Sequence, residues 1–290
     1  MGEVLVQNIG FIGAGRVGST LALGLSQRGY LISGIASRTP GPAEKLCQKL
    51  CAAKFCLQSQ EVADTTDIVF ITTPDDAIAE VCRSTGWHPG QYVIHCSGAY
   101  SADLLQSAKD FGAYTGVLHP LQSFNLQADP VKNLEGITYA LEGDDQTLSV
   151  LKDMVKALGG KWIVLKPADK PSYHLAAVMA SNYLVTLMKM AAQLWQTFGV
   201  PEDRAIKALM PLVRGTLSNI EKAGVTDALS GPIDRGDYGT VLKHMANLAN
   251  TAPELLPVYK ELGRQTVKIA LDKENPNLAG IEKVSAILAN

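Results

Sequence analysis

The run Gly13-Ala14-Gly15-Arg16-Val17-Gly18 constrains this chain most, because it closes an apolar stretch at 8–12 and opens a helical pattern at 15–29. A G-x-G-x-x-G in that setting predicts a strand-to-helix turn that holds a dinucleotide. Gly13 permits the tight bend, Gly15 lets backbone approach a pyrophosphate, and Gly18 lets the helix pack closely on the sheet. The free N–H groups and the positive dipole end of the helix favour phosphate there. All six residues are candidate cofactor ligands.

The pattern around the loop extends the prediction. Apolar runs at 8–12, 31–36, 68–72, 92–96 and 113–118 alternate with helical stretches at 15–29, 42–50, 75–83 and 101–109. That rhythm predicts an α/β fold with a doubly wound parallel sheet, and near-continuous Val, Ile and Leu predict strands covered on both faces. Two further strands, 137–141 and 161–165, flank a helix at 144–158 and extend the same sheet. After Lys166-Pro167 the strand pattern stops, and helices are expected at 171–198, 201–223, 238–250, 253–272 and 278–288. The expected organisation is an N-terminal Rossmann domain over 1–167 and an all-helical second domain over 168–290. With 290 residues, 47% of them hydrophobic, the chain can bury a core in each.

Charge and composition narrow the partners. The 26 basic and 28 acidic residues are scattered without runs, which argues against nucleic acid and against a charged membrane surface. A small molecule is expected instead. The N-terminus reaches its glycines too early for a signal peptide and lacks a basic opening, so a cytoplasmic location is expected. Five cysteines, Cys47, Cys51, Cys56, Cys82 and Cys96, with no CxxC, predict reduced thiols and no metal site. The most apolar long stretch, 173–200, is interrupted by His174, Asn182, Lys189 and Gln193. It reads as a buried or interfacial helix rather than a membrane span, and it suits a homodimer interface.

The second strand ends in Ala36-Ser37-Arg38-Thr39, where NAD enzymes carry an acidic residue for the ribose hydroxyls. An arginine between two hydroxyls suits a 2′-phosphate, since guanidinium engages phosphate by parallel charge-assisted bonds. Ser37, Arg38 and Thr39 therefore point to NADP(H). Thr72-Thr73-Pro74-Asp75-Asp76 and His95-Cys96-Ser97-Gly98-Ala99 follow later strands at the edge where open sheets bind ligands. Thr73, Pro74, Asp75, Ser97 and Gly98 should border the cofactor, with Ser97 also open to substrate. Helix capping explains the two aspartates equally well.

Candidates for chemistry fall in three places. His119, at a strand end in His119-Pro120-Leu121-Gln122-Ser123-Phe124, can donate to a carbonyl or carboxylate, and a core histidine bonded to backbone fits it too. Lys170 stands at the mouth of the long apolar helix, where a solvated linker lysine is the alternative. On one continuous helix His174, Ser181 and Asn182 would converge, either on substrate or in a closed polar network. Arg235, in the turn Gly231-Pro232-Ile233-Asp234-Arg235-Gly236-Asp237, can bind a substrate anion, and Asp237 is placed to cap the helix that carries His244.

In order along the chain, GAGRVG, SRT, TTPDD, HCSGA, GVLHPLQSF, SYHLAAVMASNYL and GPIDRGD resemble a bacterial family that pairs a Rossmann-like NADP-binding domain with a helical domain of unknown function. The resemblance spans nearly the whole chain. It implies the wider 6-phosphogluconate dehydrogenase-like group, near ketopantoate reductase, pyrroline-5-carboxylate reductase and prephenate dehydrogenase. It also implies hydride transfer from NADPH, between the domains, to a small carboxylate-bearing ketone or imine, with ketopantoate the first candidate. His174 or Lys170 would protonate the alkoxide, Ser181 and Asn182 orient the carbonyl, and His119 or Arg235 hold the carboxylate. Lys170 is followed four residues later by His174 where ketopantoate reductases carry asparagine, so the donor does not carry over directly. A non-catalytic NADP(H)-binding sensor is the alternative of another class.

Overall fold

The computed structural model describes residues 7–124 and 131–289; the apolar run Val4-Leu5-Val6 at the N-terminus lies outside them. The described residues form two compact units, divided between Ser181 and Asn182. The division falls after a helix beginning at Lys170 rather than at 167/168.

The first unit holds an eight-stranded sheet in the order β3-β2-β1-β4-β5-β6-β7-β8. Its strands are β1 (Asn8–Ile12), β2 (Leu31–Ala36), β3 (Lys54–Cys56), β4 (Ile68–Ile71), β5 (Tyr92–His95), β6 (Tyr114–Pro120), β7 (Thr138–Gly143) and β8 (Lys161–Val164). Between them lie α1 (Arg16–Gln27), α2 (Pro40–Lys49), α3 (Ser59–Ala63), α4 (Asp75–Ser84), α5 (Gln106–Asp110) and α6 (Asp145–Ala157), and α7 (Lys170–Ala180) ends the unit. The first six strands are parallel, and the order reverses at β1/β4. β7 runs antiparallel to β6, so the last two strands extend the sheet in the opposite sense to the one expected.

Strand alternation sends side chains to two separate cores. Ile9, Phe11, Ile68, Phe70 and Ile94 pack against Leu21 and Leu25 of α1 and Leu151 and Val155 of α6. Ile12, Val69, Ile71 and Val93 pack against Val62 of α3, Ile78 and Cys82 of α4 and Ala108 of α5. Covering on both faces is why these strands read as near-continuous apolar runs.

The second unit is helical: α8 (Asn182–Gln196), α9 (Glu202–Ala228), α10 (Tyr238–Thr251), α11 (Leu256–Leu271) and α12 (Leu278–Ala289). Val241, Val267, Ala270, Ile281, Val284 and Leu288 form its main core, from α10, α11 and α12. Gly224, with φ 81°, interrupts α9 just past the expected end at 223, and the helix resumes to Ala228. One expectation fails here. The stretch 171–198 divides into two helices, α7 ending at Ala180 and α8 beginning at Asn182, with Ser181 between them at φ -112° and ψ -67°. Nor is it buried: the segment Pro167–Gln196 is long and apolar enough to cross a membrane by length and composition, yet only 6% of its most apolar window is buried.

Candidate functional site

The glycine loop sits at the carboxyl end of β1, and its geometry is set by β4. Gly13 has φ +115°, and a Cβ there would lie 2.7 Å from the Thr72 carbonyl carbon. A Cβ on Gly18 would lie 2.3 Å from Thr72 Oγ1, whose hydroxyl donates to the Gly13 carbonyl at 2.7 Å. Thr72 thus locks the turn from below. Gly15 is different: it caps α1 and is exposed, and the nearest atom to a Cβ there is 4.0 Å away. The space over Gly15 and the first turn of α1 is left to a ligand.

A cleft of about 360 Å³ opens from that loop, lined by Gly13, Ala14 and Gly15, by Ser37, Arg38 and Thr39 beyond β2, and by Thr73 and Pro74 beyond β4. Arg38 is exposed, and its guanidinium has no partner among the described residues. Ser37 accepts from the Thr39 N–H, which leaves its own proton for a ligand. Thr73 Oγ1 is buried with no partner, an arrangement that costs free energy unless a ligand supplies one. A phosphorylated dinucleotide fits these groups. Leu57, Ser59, Ala77 and Val81 also line the cleft, and the sequence reading did not single them out. A larger concavity of about 500 Å³ lies at the amino ends of β1, β4 and β5, the edge away from the glycine loop, so size does not locate the site.

The same carboxyl edge continues along β5 and β6. Asp75 opens α4 and accepts from Ser97 Oγ at 2.8 Å, and that oxygen in turn accepts from the N–H groups of Ala99 and Tyr100. Ser97 is thereby a buried organiser of the loop after β5. His95, fully buried, accepts from the Ser97 N–H at Nδ1 and faces the Ser101 carbonyl through Nε2 at 2.9 Å, so Nε2 carries the proton. Burial lowers its pKa to about 4.

His119 stands directly above Gly98. A Cβ at position 98 would lie 2.8 Å from His119 Nε2, so glycine makes the seat for the ring. On the other side Nδ1 lies 2.7 Å from the Tyr173 hydroxyl, with the rings edge to face at 89°. Burial, then the charge on Lys170, then His174 and His95, holds the His119 pKa at about 4. Burial pushes the Tyr173 phenol up to about 12. At neutral pH both groups are uncharged.

Lys170 is only 1% exposed, and its ammonium lies 3.5 Å from Glu142 Oε2. Neither atom has a well-formed hydrogen bond. Glu142 Oε1 accepts from the Ala102 N–H, which anchors the carboxylate on β7. Burial lowers the Lys170 pKa while Glu142 raises it. The ammonium therefore faces a carboxylate inside the fold rather than a linker surface. Burial also raises the Cys96 thiol beside it.

The remaining predicted residues are placed as follows. Arg16 is exposed, Val17 half-buried, and His174 half-buried on α7. Ser181 and Asn182 are exposed, Ser181 closing α7 and Asn182 opening α8 where the two units divide. Asp237 caps α10 through the Thr240 N–H, as its position suggested. Gly236, with φ +67°, lets that turn approach α12 so closely that a Cβ would lie 2.6 Å from Gly280 Cα. Asn277 donates to the Arg235 carbonyl, and the exposed Arg235 guanidinium acts through its charge on the Asp237 carboxylate. Sequence reasoning missed Tyr173 and Glu142 as site members. Tyr173 stood in a motif already quoted, but only the fold brings it to His119.

Comparison with known proteins agrees with this layout. Residues 8–98 match the family model described as NADP oxidoreductase, coenzyme F420-dependent, and residues 137–266 match a domain of unknown function, DUF2520. A pyrroline-5-carboxylate reductase of Treponema pallidum is 22% identical over 231 residues, covering 76% of this chain and 84% of its own. Among solved structures, a Thermotoga maritima protein is 25% identical with a TM-score of 0.74, covering 92% of this chain and 100% of its own. A reductive aminase of Aspergillus terreus, solved with NADPH and ethyl levulinate, shares the fold at 16% identity and a TM-score of 0.63, covering 92% and 98%. The chain is thus an NADP-dependent oxidoreductase built on a Rossmann-type sheet, matched over 8–98 by the NADP oxidoreductase model and over 137–266, from β7 into the helical second unit, by the DUF2520 model.

Proposed function

We propose that this enzyme is an NADP(H)-dependent reductase of a small carboxylate-bearing substrate with a reducible C=N or C=O bond, of the pyrroline-5-carboxylate kind. One observation carries the reading: the Arg38 cleft and the neutral His119–Tyr173 pair share the carboxyl edge of one sheet. NADPH held in that cleft supplies the hydride. Arg38, with Ser37 and Thr39, binds the 2′-phosphate, the first turn of α1 binds the pyrophosphate, and Thr73 gains a partner.

His119 is uncharged at neutral pH and offers a substrate a hydrogen bond but no charge. Arg235 is the candidate for a carboxylate, an exposed cation on a turn braced by Asn277. His174 is a candidate proton donor on α7, and Ser181 and Asn182 are candidate carbonyl-orienting groups. The curated relative favours a cyclic imine, and ketopantoate remains the keto acid to set against it. A homodimer accords with the exposed apolar side chains Tyr183 and Val185 on α8 and Leu212 on α9.

NADPH oxidation by the purified protein, measured over pyrroline-5-carboxylate, a second cyclic imine, ketopantoate and simple keto acids, tests the proposal. Turnover of the pyrroline above the keto acids supports it. Tight NADPH binding with no oxidation across the panel makes the chain a cofactor-binding sensor instead.

A further inference from the structure

We propose that Tyr173 is a catalytic residue of this reductase: its phenol donates the proton that accompanies hydride addition, and His119 is the positioning residue that aims it. The proposal rests on the reductase reading above.

The geometry carries it. His119 is held from two sides, by Gly98 beneath the ring and by the Tyr173 hydroxyl 2.7 Å from Nδ1, and its Nε2 has no hydrogen-bond partner among the described residues. A histidine kept for packing alone has no need of a glycine seat and a phenol partner together. The pair lies at the end of β6, three strands along from the glycine loop on β1, or roughly 14 Å at the usual ~4.8 Å strand spacing. A dinucleotide whose pyrophosphate rests over α1 is directed along that edge.

Other proton sources nearby are less well placed. The Lys170 ammonium is sealed inside the fold beside Glu142. His95 is committed on both ring nitrogens. His174 is half-buried and is the rival donor.

In the productive arrangement Nδ1–H of His119 donates to the phenol oxygen, which leaves the phenolic O–H for the substrate. As hydride forms the new C–H bond, the C=O or C=N π pair moves to the heteroatom. The Tyr173 O–H breaks, and the proton bonds to that heteroatom. The phenolate, stabilised by Nδ1–H, recovers a proton from water. The balance is one hydride from NADPH and one proton from solvent for each product formed. A phenol near pKa 12 suits this task, because it stays protonated at neutral pH and is still far more acidic than an alkoxide's conjugate acid. Around His119 the charged and titratable neighbours are Lys170, Tyr173 and His174 from α7 and His95 from β5, and burial holds both His95 and His119 neutral.

The test compares wild type with Tyr173→Phe, His119→Asn, His119→Ala and His174→Ala, using NADPH with pyrroline-5-carboxylate and with ketopantoate. Expected for Tyr173→Phe is a kcat loss of ~100-fold or more, the usual worth of a general acid, with the NADPH Kd by fluorescence titration unchanged and the melting temperature only modestly lowered by loss of the His119 bond. His119→Asn, which keeps an N–H for the phenol, retains more kcat than His119→Ala. Imidazole ¹⁵N NMR of the cofactor-free protein shows His119 protonated at Nδ1, with that resonance shifting in Tyr173→Phe. Full kcat in Tyr173→Phe, or a loss confined to His174→Ala, overturns the proposal while the reductase reading stands. A wild-type protein inactive on both probes removes the reading and the proposal together.

Discussion

Nδ1 of His119 lies 2.7 Å from the phenolic oxygen of Tyr173, joining the end of β6 to the first turns of α7. With Lys170 buried against Glu142 one turn earlier, this contact docks α7 on the sheet and explains why the first compact unit extends to Ser181. The residues that tie α7 down are also those that furnish the proposed site.

The two neutral histidines make stability pH-dependent. Both His95 and His119 have folded pKa values lowered from 6.5 to about 4, so the unfolded chain binds protons that the folded chain refuses. Their contribution is complete above pH 6.5 and is lost progressively as pH falls towards 4. For the fully buried His95 the loss is on the order of 3 kcal/mol, at ~1.4 kcal/mol per pH unit. Urea unfolding measured from neutral pH downward should show this slope, and His95→Gln should flatten part of it.

At position 98 a methyl group should be poorly tolerated. Gly98→Ala places a Cβ 2.8 Å from His119 Nε2 and 2.9 Å from Cε1, so the ring or the loop after β5 must move. Overpacking of this kind costs about 1–3 kcal/mol. A lower melting temperature and a lower kcat, with NADPH affinity retained, is the expected pattern. Wild-type kcat in this variant would show that the ring need not sit on Gly98.

Cofactor choice should depend on one side chain. Arg38→Ala removes the only arginine that lines the cleft among the described residues. A lost charge-assisted bond of about 1.5–3 kcal/mol corresponds to roughly 10- to 100-fold weaker NADPH binding. NADH, which lacks the 2′-phosphate, should bind the variant and the wild type alike in calorimetric titrations.

The buried ion pair should show strong coupling. Lys170→Met leaves the Glu142 carboxylate buried without its counter-charge, and breaking such a pair from one side costs about 3–5 kcal/mol. Adding Glu142→Gln removes the orphan charge and keeps an oxygen for the Ala102 N–H, so the double variant should recover much of the loss. Denaturation of the four-member cycle measures this, and additive losses would mean that the two groups do not interact.

Much of the architecture was legible because it follows from local periodicity. The strands β1, β2, β4 and β5 matched near-continuous apolar runs, since both faces are covered. β3 was not seen, being three residues, Lys54–Cys56, at the edge beside β2. The junction of α7 and α8 at Ser181 carries neither proline nor glycine, so hydrophobic pattern reads straight through it. In the site, Gly13, Gly15 and Gly18 were legible because a tight turn imposes its demands on adjacent residues. Tyr173 and Glu142 were not, because their partners His119 and Lys170 are distant in sequence.

The sequence by itself determined the alternation of the longer strands and helices, the glycine loop and the missing carboxylate after β2 that marks an NADP site. These are short-range properties: side-chain period, backbone freedom and the chemistry of neighbouring residues. Only the tertiary structure decided which titratable groups are charged. His95 and His119 are neutral and Lys170 is sealed beside Glu142 because segments far apart in the chain exclude water from them. Desolvation and charge proximity act through space, and no reading along the chain contains them.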